Sequence, residues 1–373
     1  MARDPRRPGP AGAARRGRGA TLDPDNRYHA TTREAVDDGW APAAPDPDAD
    51  APPRQVRTTV AIQPARTILA RNDSPDIPFT QSINPYQGCE HGCVYCYARP
   101  SHAYLDLSPG LDFETKLYAK PDAAKLLRAE LAKPGYVCDP IALGTNTDPY
   151  QPIEREWKVT RSILEVLAET RHPFSIVTKN ALVLRDLDLI APMAAAGLAR
   201  VYLSVTTLDV DLARRLEPRA SAPARRLQAL RALSDAGVPA GVMVAPVIPQ
   251  LNDRDLEAIL EGAAAAGVTS AGWIMLRLPR EVAPMFRDWL AVHYPDRAAH
   301  VMNLVNDLRG GRDYDSRFGA RMRGTGAYAD LIAKRFEVAC RRLGLNTGRD
   351  RSALDRSQFR PPPHDDGRQA SLF

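Results

Sequence analysis

Residues 82–97, SINPYQGCEHGCVYCY, join a short apolar run to a loop that holds three of the five cysteines in this 373-residue chain. The cysteines are spaced Cys89-x3-Cys93-x2-Cys96. Three cysteines within so short a loop make a poor disulfide framework but a good set of metal ligands in a reducing compartment. The next cysteine, Cys138, is far along the chain, so a four-ligand metal site at this loop needs a ligand from elsewhere.

Apolar, strand-like runs alternate with helical patterns from this stretch onward. Short continuous apolar runs are typical of strands buried on both faces of a parallel sheet. Six such runs, each followed by a helical pattern, predict an α/β protein with a partial (β/α)6 barrel. The strand runs are 82–86, 140–145, 174–179, 200–207, 240–248 and 271–278, and the helical segments are 122–133, 154–171, 182–197, 225–237, 252–267 and 280–294.

Helix ends and a C-terminal extension can also be predicted. Asn252 and Asp253 are suited to cap one N-terminus, whereas three glycines are suited to end helices. Further helical patterns at 296–308 and 328–343 flank a Gly-rich loop with five Arg residues. This loop is either a solvated connector or a flap that contacts substrate through Arg and aromatic side chains. The three helix-ending glycines are Gly197, Gly237 and Gly267.

Composition divides the chain into four parts. Residues 1–55, rich in Pro, Ala, Arg, Gly and Asp, predict a disordered arm, and residues 349–373 predict a flexible tail. The barrel is expected at 56–295 and the helical extension at 296–348. Six Arg and one Asp within residues 1–20 account for the whole net charge of +5. The net charge therefore does not indicate a basic binding face on the folded part.

Other features concern location and isolated residues. No apolar leader follows the initiator Met, and no apolar run is long enough to span a bilayer, so we expect a cytoplasmic protein. Cys138 and Cys340 are expected to pack in an apolar strand and a helix. Within the arm, the segment NRYH (26–29) and Trp40 either dock on the folded body or are disordered with the rest.

The cysteine loop occupies the position of an active-site loop, because loops that follow parallel strands form the functional face of a barrel. A structural zinc site would take His91 or His102 as fourth ligand. An iron–sulfur cluster also takes closely spaced Cys thiolates, and three thiolates on a four-iron cluster leave one iron for a small molecule. The presence of all three cysteines in one loop favours the cluster.

The cysteine spacing, with Tyr95 before the third cysteine, resembles the signature of the radical S-adenosylmethionine (SAM) superfamily, and the six β/α units agree. The resemblance implies a 4Fe-4S cluster on Cys89, Cys93 and Cys96, with SAM chelating the fourth iron through its amino and carboxylate groups. It also implies reductive cleavage of SAM to a 5'-deoxyadenosyl radical, and hence an electron donor such as flavodoxin or ferredoxin. The protein would orient the cofactor and exclude water.

Residues 70–280 most resemble the spore photoproduct lyase branch, whose members are often called DNA repair photolyases. This resemblance implies lyase-like action on nucleic acid, in DNA repair or modification. It implies that Lys179 and Ser204 contact the carboxylate and ribose of SAM, that Tyr95 lies beside the adenine, and that Tyr97 helps hydrogen transfer. Lys179 could otherwise be a solvated strand-end charge, and Ser204 a turn residue.

The chain departs from that branch at the end of the second strand. The lyase has a catalytic cysteine there, whereas this chain has Thr145, and Cys138 is too far upstream to replace it. A hydroxyl is a poorer hydrogen-atom donor than a thiol, so we do not expect thymine-dimer reversal by the same route. Nearby polar residues are expected to face the barrel mouth, where they would contact substrate or the cofactor's amino group: Thr147, Asp148, Gln151 and Glu154.

The last five residues, QASLF, resemble the peptide by which bacterial replication and repair proteins bind the sliding clamp. Gln369, Leu372 and Phe373 would be the contacts, although Ala370 departs from the commoner Leu. The alternative is that the terminal apolar pair folds back onto the barrel. Two other functions remain open: radical modification of a protein or small molecule, and a zinc-stabilised module that binds nucleic acid without catalysis.

Overall fold

The structure is a computed structural model that describes residues 14–29, 56–347 and 354–363. The strands within these ranges are β1 (Thr59–Ile62), β2 (Leu69–Arg71), β3 (Gln81–Ile83), β4 (Tyr86–Gln87), β5 (Lys116–Ala119), β6 (Ile141–Leu143), β7 (Phe174–Thr178), β8 (Ala199–Ser204), β9 (Ala240–Val247) and β10 (Ser270–Met275).

Seven of these strands form one sheet, in the order β10-β9-β8-β7-β6-β3-β2. Each strand from β3 to β10 in this sheet is parallel to its neighbour, and only β2 pairs antiparallel, on the edge beside β3. The sheet therefore contains the six parallel strands predicted from the sequence, in chain order. This confirms the α/β class and the partial-barrel arrangement.

Helices follow the parallel strands and cover the sheet. They are α1 (Asp112–Thr115), α2 (Ala123–Leu131), α3 (Glu154–Trp157), α4 (Val159–Glu169), α5 (Leu187–Ala195), α6 (Val210–Leu216), α7 (Pro223–Asp235), α8 (Leu256–Ala265), α9 (Val282–His293), α10 (Pro295–Asp307), α11 (Ala320–Arg323) and α12 (Ala327–Arg342). Helices of the 3₁₀ type lie at Arg99–Leu105, Ala181–Asp186 and Asp253–Asp255. None of the helices in the described ranges has the length and apolar character needed to cross a bilayer.

The helix-end predictions were partly right. Gly197, Gly237 and Gly267 have φ of 75°, 73° and 85°, and each follows the end of a helix. Asn252 stands at the N-cap position of the 3₁₀ helix Asp253–Asp255, but its side chain makes no capping hydrogen bond. Its side chain is buried, donates to the Thr206 carbonyl (2.7 Å), and accepts from the Ile248 amide (2.6 Å). Asn252 therefore holds the turn after β9 against the loop after β8.

The core lies between the sheet and its helices, and burial alternates along β7 and β8, so that one face of these strands is the more deeply buried. Ile141, Ile176, Val201 and Val242 are fully buried on successive strands, and Ile163, Leu230 and Ile259 of the covering helices are also fully buried. Cys340 is buried on α12, as expected. Cys138 is partly buried in the segment before β6, not in the strand itself.

A second, three-stranded sheet positions the cysteine loop. Strand β5 lies between β1, to which it is parallel, and β4, to which it is antiparallel. Strand β4 ends at Gln87, directly before the loop. This small sheet was not predicted, since β1 is largely exposed and carries no clear pattern of burial.

The chain segments on either side of the barrel pack against it. Residues 14–29, which composition assigns to a disordered arm, instead lie against the cysteine loop, with Arg18 and Ala20 buried. Phe359 packs near His172 (ring centroids 5.2 Å apart), and the Arg360 amide donates to the Thr170 carbonyl (2.8 Å). Trp40 lies outside the described residues, as do the predicted clamp contacts Gln369, Leu372 and Phe373.

The Arg-rich loop between α10 and α12 bridges the two edges of the sheet. On the β10 side, the Arg323 guanidinium lies 4.3 Å from the Trp273 ring centroid. On the β2 side, Arg321 forms an ion pair with Asp76, and the Gly319 amide donates to the same carboxylate (2.7 Å). Because β10 and β2 do not pair with each other, this loop spans the opening of the barrel.

Candidate active site

The cysteine loop has a fixed conformation. Cys89 and Cys93 are buried, Cys96 is half-buried, and all three are free thiols. The Cys89 amide donates to the Phe113 carbonyl (2.9 Å). Arg99, which is fully buried, donates to the carbonyls of Gly92 (3.2 Å) and Cys93 (2.9 Å). These contacts set the direction of the loop.

The three thiols suit a cluster. Cys96 packs against two clusters of buried apolar residues, one that contains Cys93 and one that contains Cys89. Burial raises the pKa of the Cys93 thiol, and the negative charge of Glu217 raises it further. Iron binding would replace such protons. Within the described residues, no three His, Cys, Asp or Glu side chains come close enough to share one metal ion. A four-iron cluster does not require that, because each thiolate binds a different iron.

His91 and Asp148 connect the cysteine loop to the end of β7. His91 is 1% exposed, and its Nδ1 lies 3.3 Å from Asp148 Oδ2. Asp148 also accepts from the Thr178 hydroxyl (2.6 Å) and the Lys179 amide (2.8 Å). Burial opposes ionisation of Asp148, but His91 and these hydrogen bonds lower its pKa to about 2. Both carboxylate oxygens of Asp148 thus accept hydrogen bonds within the protein, and Asp148 links the cysteine loop to the end of β7. A direct contact of Asp148 with the cofactor stays a prediction.

Lys179 and Ser204 lie at the same edge of the sheet, as predicted. Lys179 directly follows β7, and Ser204 is the last residue of the neighbouring parallel strand β8. The Lys179 ammonium is 6.0 Å from the centroid of the Tyr95 ring, and Tyr95 and Ser204 are buried. The structure therefore brings the predicted cofactor contacts together beside the cysteine loop.

A buried polar network beneath Tyr95 was not predicted. The Tyr95 hydroxyl donates to Glu217, which also accepts from the Thr206 hydroxyl (2.5 Å). Glu217 forms an ion pair with Arg226, and both side chains are almost completely buried. Burial raises the pKa of Glu217, but Arg226 and Lys179 more than offset this and lower it to about 2. No short motif contains these residues, so the sequence offered no signal for them.

Three of the four polar residues expected at the barrel mouth are buried, among them Gln151 and Glu154. Gln151 accepts from the Glu90 amide (2.8 Å) and donates to the Gly88 carbonyl (3.2 Å). Glu154 forms an ion pair with Arg185 (2.6 Å). Both are completely buried, so the expectation was wrong for them: their polar groups hold the cysteine loop and neighbouring elements.

Thr147 is also buried. Its hydroxyl donates to the Tyr86 carbonyl (3.1 Å), and its amide donates to Asn84 Oδ1 (3.3 Å). Asn84 accepts from the Asn146 amide as well (3.0 Å) and so fixes the turn after β6. The predicted contact of Thr147 with the cofactor stays a prediction.

Tyr97 lies on the exposed side of the cysteine loop. Its side chain is 44% exposed, and its hydroxyl donates to the Thr145 carbonyl. Thr145, the residue that the resemblance matches with the cysteine of the lyase branch, therefore adjoins Tyr97. The Arg277 guanidinium, from the loop after β10, lies 4.8 Å from the Tyr97 ring centroid. Arg277 was not predicted as a site residue, because the sequence indicated only that its segment, 271–278, is the end of an apolar strand.

Comparisons with known proteins identify a matching family model and relatives of similar sequence. A model of the radical SAM superfamily matches residues 83–263. The uncharacterized protein Rv2578c of Mycobacterium tuberculosis is 40% identical over 230 residues, which cover 61% of this chain and 68% of that protein. The uncharacterized protein MJ0683 of Methanocaldococcus jannaschii is 29% identical over 222 residues, which cover 59% of this chain and 79% of that protein.

Solved structures with a similar fold include spore photoproduct lyase complexed with dinucleoside spore photoproduct. That structure aligns with a TM-score of 0.51 and 20% identity over 76% of this chain and 78% of its own. Another structure of the lyase, with the same TM-score of 0.51, contains both AdoMet and the dinucleoside. At this level of identity the comparison establishes a shared fold.

Proposed function

Because the chain belongs to the radical SAM superfamily, we propose that it binds a 4Fe-4S cluster through Cys89, Cys93 and Cys96, cleaves SAM, and acts on a nucleic acid. When bound, the cluster and SAM supply a 5'-deoxyadenosyl radical. The family implies these two cofactors, and the buried, disulfide-free thiols described above are suited to holding the cluster.

The residues around the loop orient the cofactor in this proposal. The Lys179 ammonium binds the SAM carboxylate, Ser204 contacts the ribose, and the Tyr95 ring lies beside the adenine. Glu217 holds the Tyr95 hydroxyl, and Asp148 holds the backbone of Lys179. The Tyr95 side chain and the Lys179 backbone are thereby held by buried carboxylates, which reduces the reorganisation needed when SAM binds.

The observation that carries the choice of substrate is the environment of Arg277. Its Nε is buried without a hydrogen-bond partner, and its Nη1 approaches only the Met322 sulfur (3.4 Å) among the described residues. The guanidinium lies over Tyr97, beside the cysteine loop. A guanidinium and an exposed aromatic ring together suit a phosphate and a stacked base.

The shared fold with a nucleic-acid repair enzyme supports the same choice, although the chemistry is expected to differ. Thr145 replaces the thiol that would return a hydrogen atom to a product radical in that branch. The Tyr97 O–H lies at the same strand end and is the group we assign to hydrogen transfer. The outcome would be a lyase-like or modifying reaction, with an electron donor such as flavodoxin or ferredoxin reducing the cluster.

A binding experiment tests the substrate class. Fluorescent single-stranded DNA, double-stranded DNA and RNA are titrated with anaerobic protein in the presence of SAM. Arg277→Gln should weaken binding by roughly 10–100-fold, because a charge-assisted hydrogen bond contributes about 1.5–3 kcal/mol. Arg287→Gln is the control, since Arg287 is paired with Asp313 on the surface. Equal affinity of wild type and Arg277→Gln for every oligonucleotide would remove nucleic acid from the proposal.

Cluster binding is tested by substitution of single cysteines. Cys93→Ala should lose the four-iron cluster and SAM cleavage, because two thiolates do not hold the cluster in place. Cys340→Ala, buried on α12, should retain both. Iron and sulfide analysis with 5'-deoxyadenosine assays provides the readout, and a colourless wild-type protein with one zinc would support the non-catalytic module instead.

A further inference from the structure

The N-terminal segment, residues 14–29, contacts the cysteine loop directly. We infer that residues 18–20 act as positioning residues for the cluster, by holding the cysteine loop in its ligand-binding conformation. The inference rests on the proposed cluster at Cys89, Cys93 and Cys96. It assigns a role in the radical site to a part of the chain that lies outside the matched barrel domain.

Glu114 connects the segment to the loop. Its side chain is completely buried and accepts hydrogen bonds from the Gly19 amide (3.0 Å) and the Ala20 amide (2.9 Å). The same carboxylate is paired with Arg99, the guanidinium that holds the Gly92 and Cys93 carbonyls. One carboxylate therefore joins the backbone of the N-terminal segment to the backbone of the loop.

Gly19 and Gly92 are also in direct backbone contact. A Cβ added at Gly19 would lie 1.8 Å from the Gly92 carbonyl oxygen and 3.3 Å from the Val94 amide nitrogen. Gly92 has φ of 68°, and a Cβ there would meet Glu114 at 2.7 Å. Any side chain at residue 19 must therefore displace either the segment or the loop between the first two cysteines.

Arg18 extends the contact to the residue after the first cysteine. Its guanidinium donates to the Glu114 carbonyl (2.9 Å) and to the Thr58 hydroxyl (2.9 Å). The Thr58 hydroxyl in turn donates to Glu90 (2.5 Å). The segment thus contacts the cysteine loop directly at Gly92. It reaches Glu90 through Thr58, and Cys93 through the Glu114–Arg99 pair.

Such contacts affect a metal site by fixing the orientation of its ligands. Groups that orient ligands typically change metal affinity by about 10–100-fold when they are removed. If the segment is displaced, the loop gains freedom and the three thiolates are no longer held together. We therefore expect the cluster to dissociate faster, while the barrel, whose core does not include the segment, stays folded.

The test compares two glycines of the same segment. Gly19→Ala introduces the clash with Gly92. Gly17→Asn is the control, because no atom lies within 4 Å of a Cβ at residue 17 and Asn tolerates its positive φ. Both proteins are reconstituted anaerobically, and iron content, the rate of cluster loss in air, and the EPR spectrum of the reduced cluster are measured. Thermal unfolding of the apoproteins reports the stability of the barrel.

Gly19→Ala should lose its cluster about tenfold faster than wild type, with altered EPR g values and an apoprotein Tm close to wild type. Gly17→Asn should match wild type throughout. Equal rates of cluster loss for Gly19→Ala and wild type would overturn the inference, as would a change explained entirely by a lower apoprotein Tm. A wild-type protein that binds no cluster would instead contradict the proposed function.

A truncated protein supplies a second test that does not depend on the Gly19 variant. Protein that begins at residue 30 should lose its cluster as fast as Gly19→Ala, and a synthetic peptide of residues 14–29 added in excess should slow that loss. The same peptide with Gly19→Ala should have no effect. A wild-type peptide that does not slow cluster loss would count against the inference.

Discussion

Glu217 is the buried carboxylate that holds Tyr95 in place, and its replacement should be costly. Glu217→Gln leaves Arg226 buried without a charged partner, which typically costs about 3–5 kcal/mol of unfolding free energy. The pKa of Glu217 is lowered from 4.5 to about 2, so its stabilising contribution is complete above the unfolded pKa and is lost as pH falls toward 2. Urea unfolding should show a large difference between wild type and variant at pH 7 that shrinks below pH about 4.5. Equal stability at pH 7 would contradict this account.

Lys179 tests the assignment of the cofactor site. Lys179→Ala should weaken SAM binding by about 1.5–3 kcal/mol, because it removes a charge-assisted contact with the carboxylate. Iron content should not change, since Lys179 is not a ligand. Lys334→Ala is the matched control, because Lys334 is an exposed lysine on α12. Calorimetric titration of SAM at constant iron content decides, and unchanged affinity would exclude Lys179 from the site.

The residues that the sequence could predict are those whose signal is local. Cys89, Cys93 and Cys96 stand in one motif, and Lys179 and Ser204 end recognisable strands. Glu217 was missed because its partner Tyr95 is 122 residues away, and a pair so distant leaves no pattern in a single sequence. Gln151 and Glu154 were wrongly predicted to face the barrel mouth. A single sequence does not distinguish a polar residue that faces solvent after a strand from one that faces a buried partner.

At the scale of elements, the spacing between β6 and β7 depends on Gly144. It has φ of 90°, and a Cβ there would lie 2.0 Å from the Val177 carbonyl oxygen. Gly144→Ala should therefore cost about 2–5 kcal/mol, from backbone strain together with overpacking. Gly197→Ala, with φ of 75° and nothing within 4 Å, should cost only the strain, about 1–2 kcal/mol. Denaturant unfolding compares them, and equal losses would show that the close approach to β7 does not matter.

The long elements were predicted, whereas several of the short ones were not. Strands such as β7 to β10 lie in largely apolar runs that are visible in the sequence, although burial alternates along β7 and β8. The break between α3 and α4 was missed: Lys158 has φ of 50°, a conformation that its side chain does not signal. Helix α6, which positions the Leu216 carbonyl against the Val94 amide (3.1 Å), was missed because it is too short for clear periodicity.

At the scale of the whole molecule, average composition concealed the role of the N-terminal segment. A window rich in Gly, Pro and Arg has little apolar surface, which predicts disorder. Residues 18–20 nevertheless pack through backbone amides, a guanidinium and a missing side chain, none of which requires apolar residues. The contact partners Glu114 and Gly92 lie far along the chain, so only the folded structure brings them together.

The proposed link to a sliding clamp also concerns the whole molecule. Its predicted contacts, Gln369, Leu372 and Phe373, lie outside the described residues, so the prediction stands on sequence resemblance. A fluorescent peptide of residues 360–373 should bind the clamp of the same organism, because Leu372 and Phe373 would fill an apolar pocket. The control peptide carries Leu372→Ala and Phe373→Ala. Equal or absent binding by both peptides would refute the link.

For the proposed nucleic-acid substrate, the ion pair between Arg321 and Asp76 would affect how quickly a long strand enters and leaves. The loop that carries Arg321 spans the gap between the unpaired edge strands, so passage of a polymer through that gap requires the pair to separate. Salt weakens attraction between charges that water reaches, and Arg321 is 18% exposed. Oligonucleotide exchange should therefore accelerate with ionic strength in the wild type and depend less on salt in Asp76→Asn, as stopped-flow measurements can show. Turnover on long strands would then depend on the opening of this loop, and turnover on dinucleotides would not.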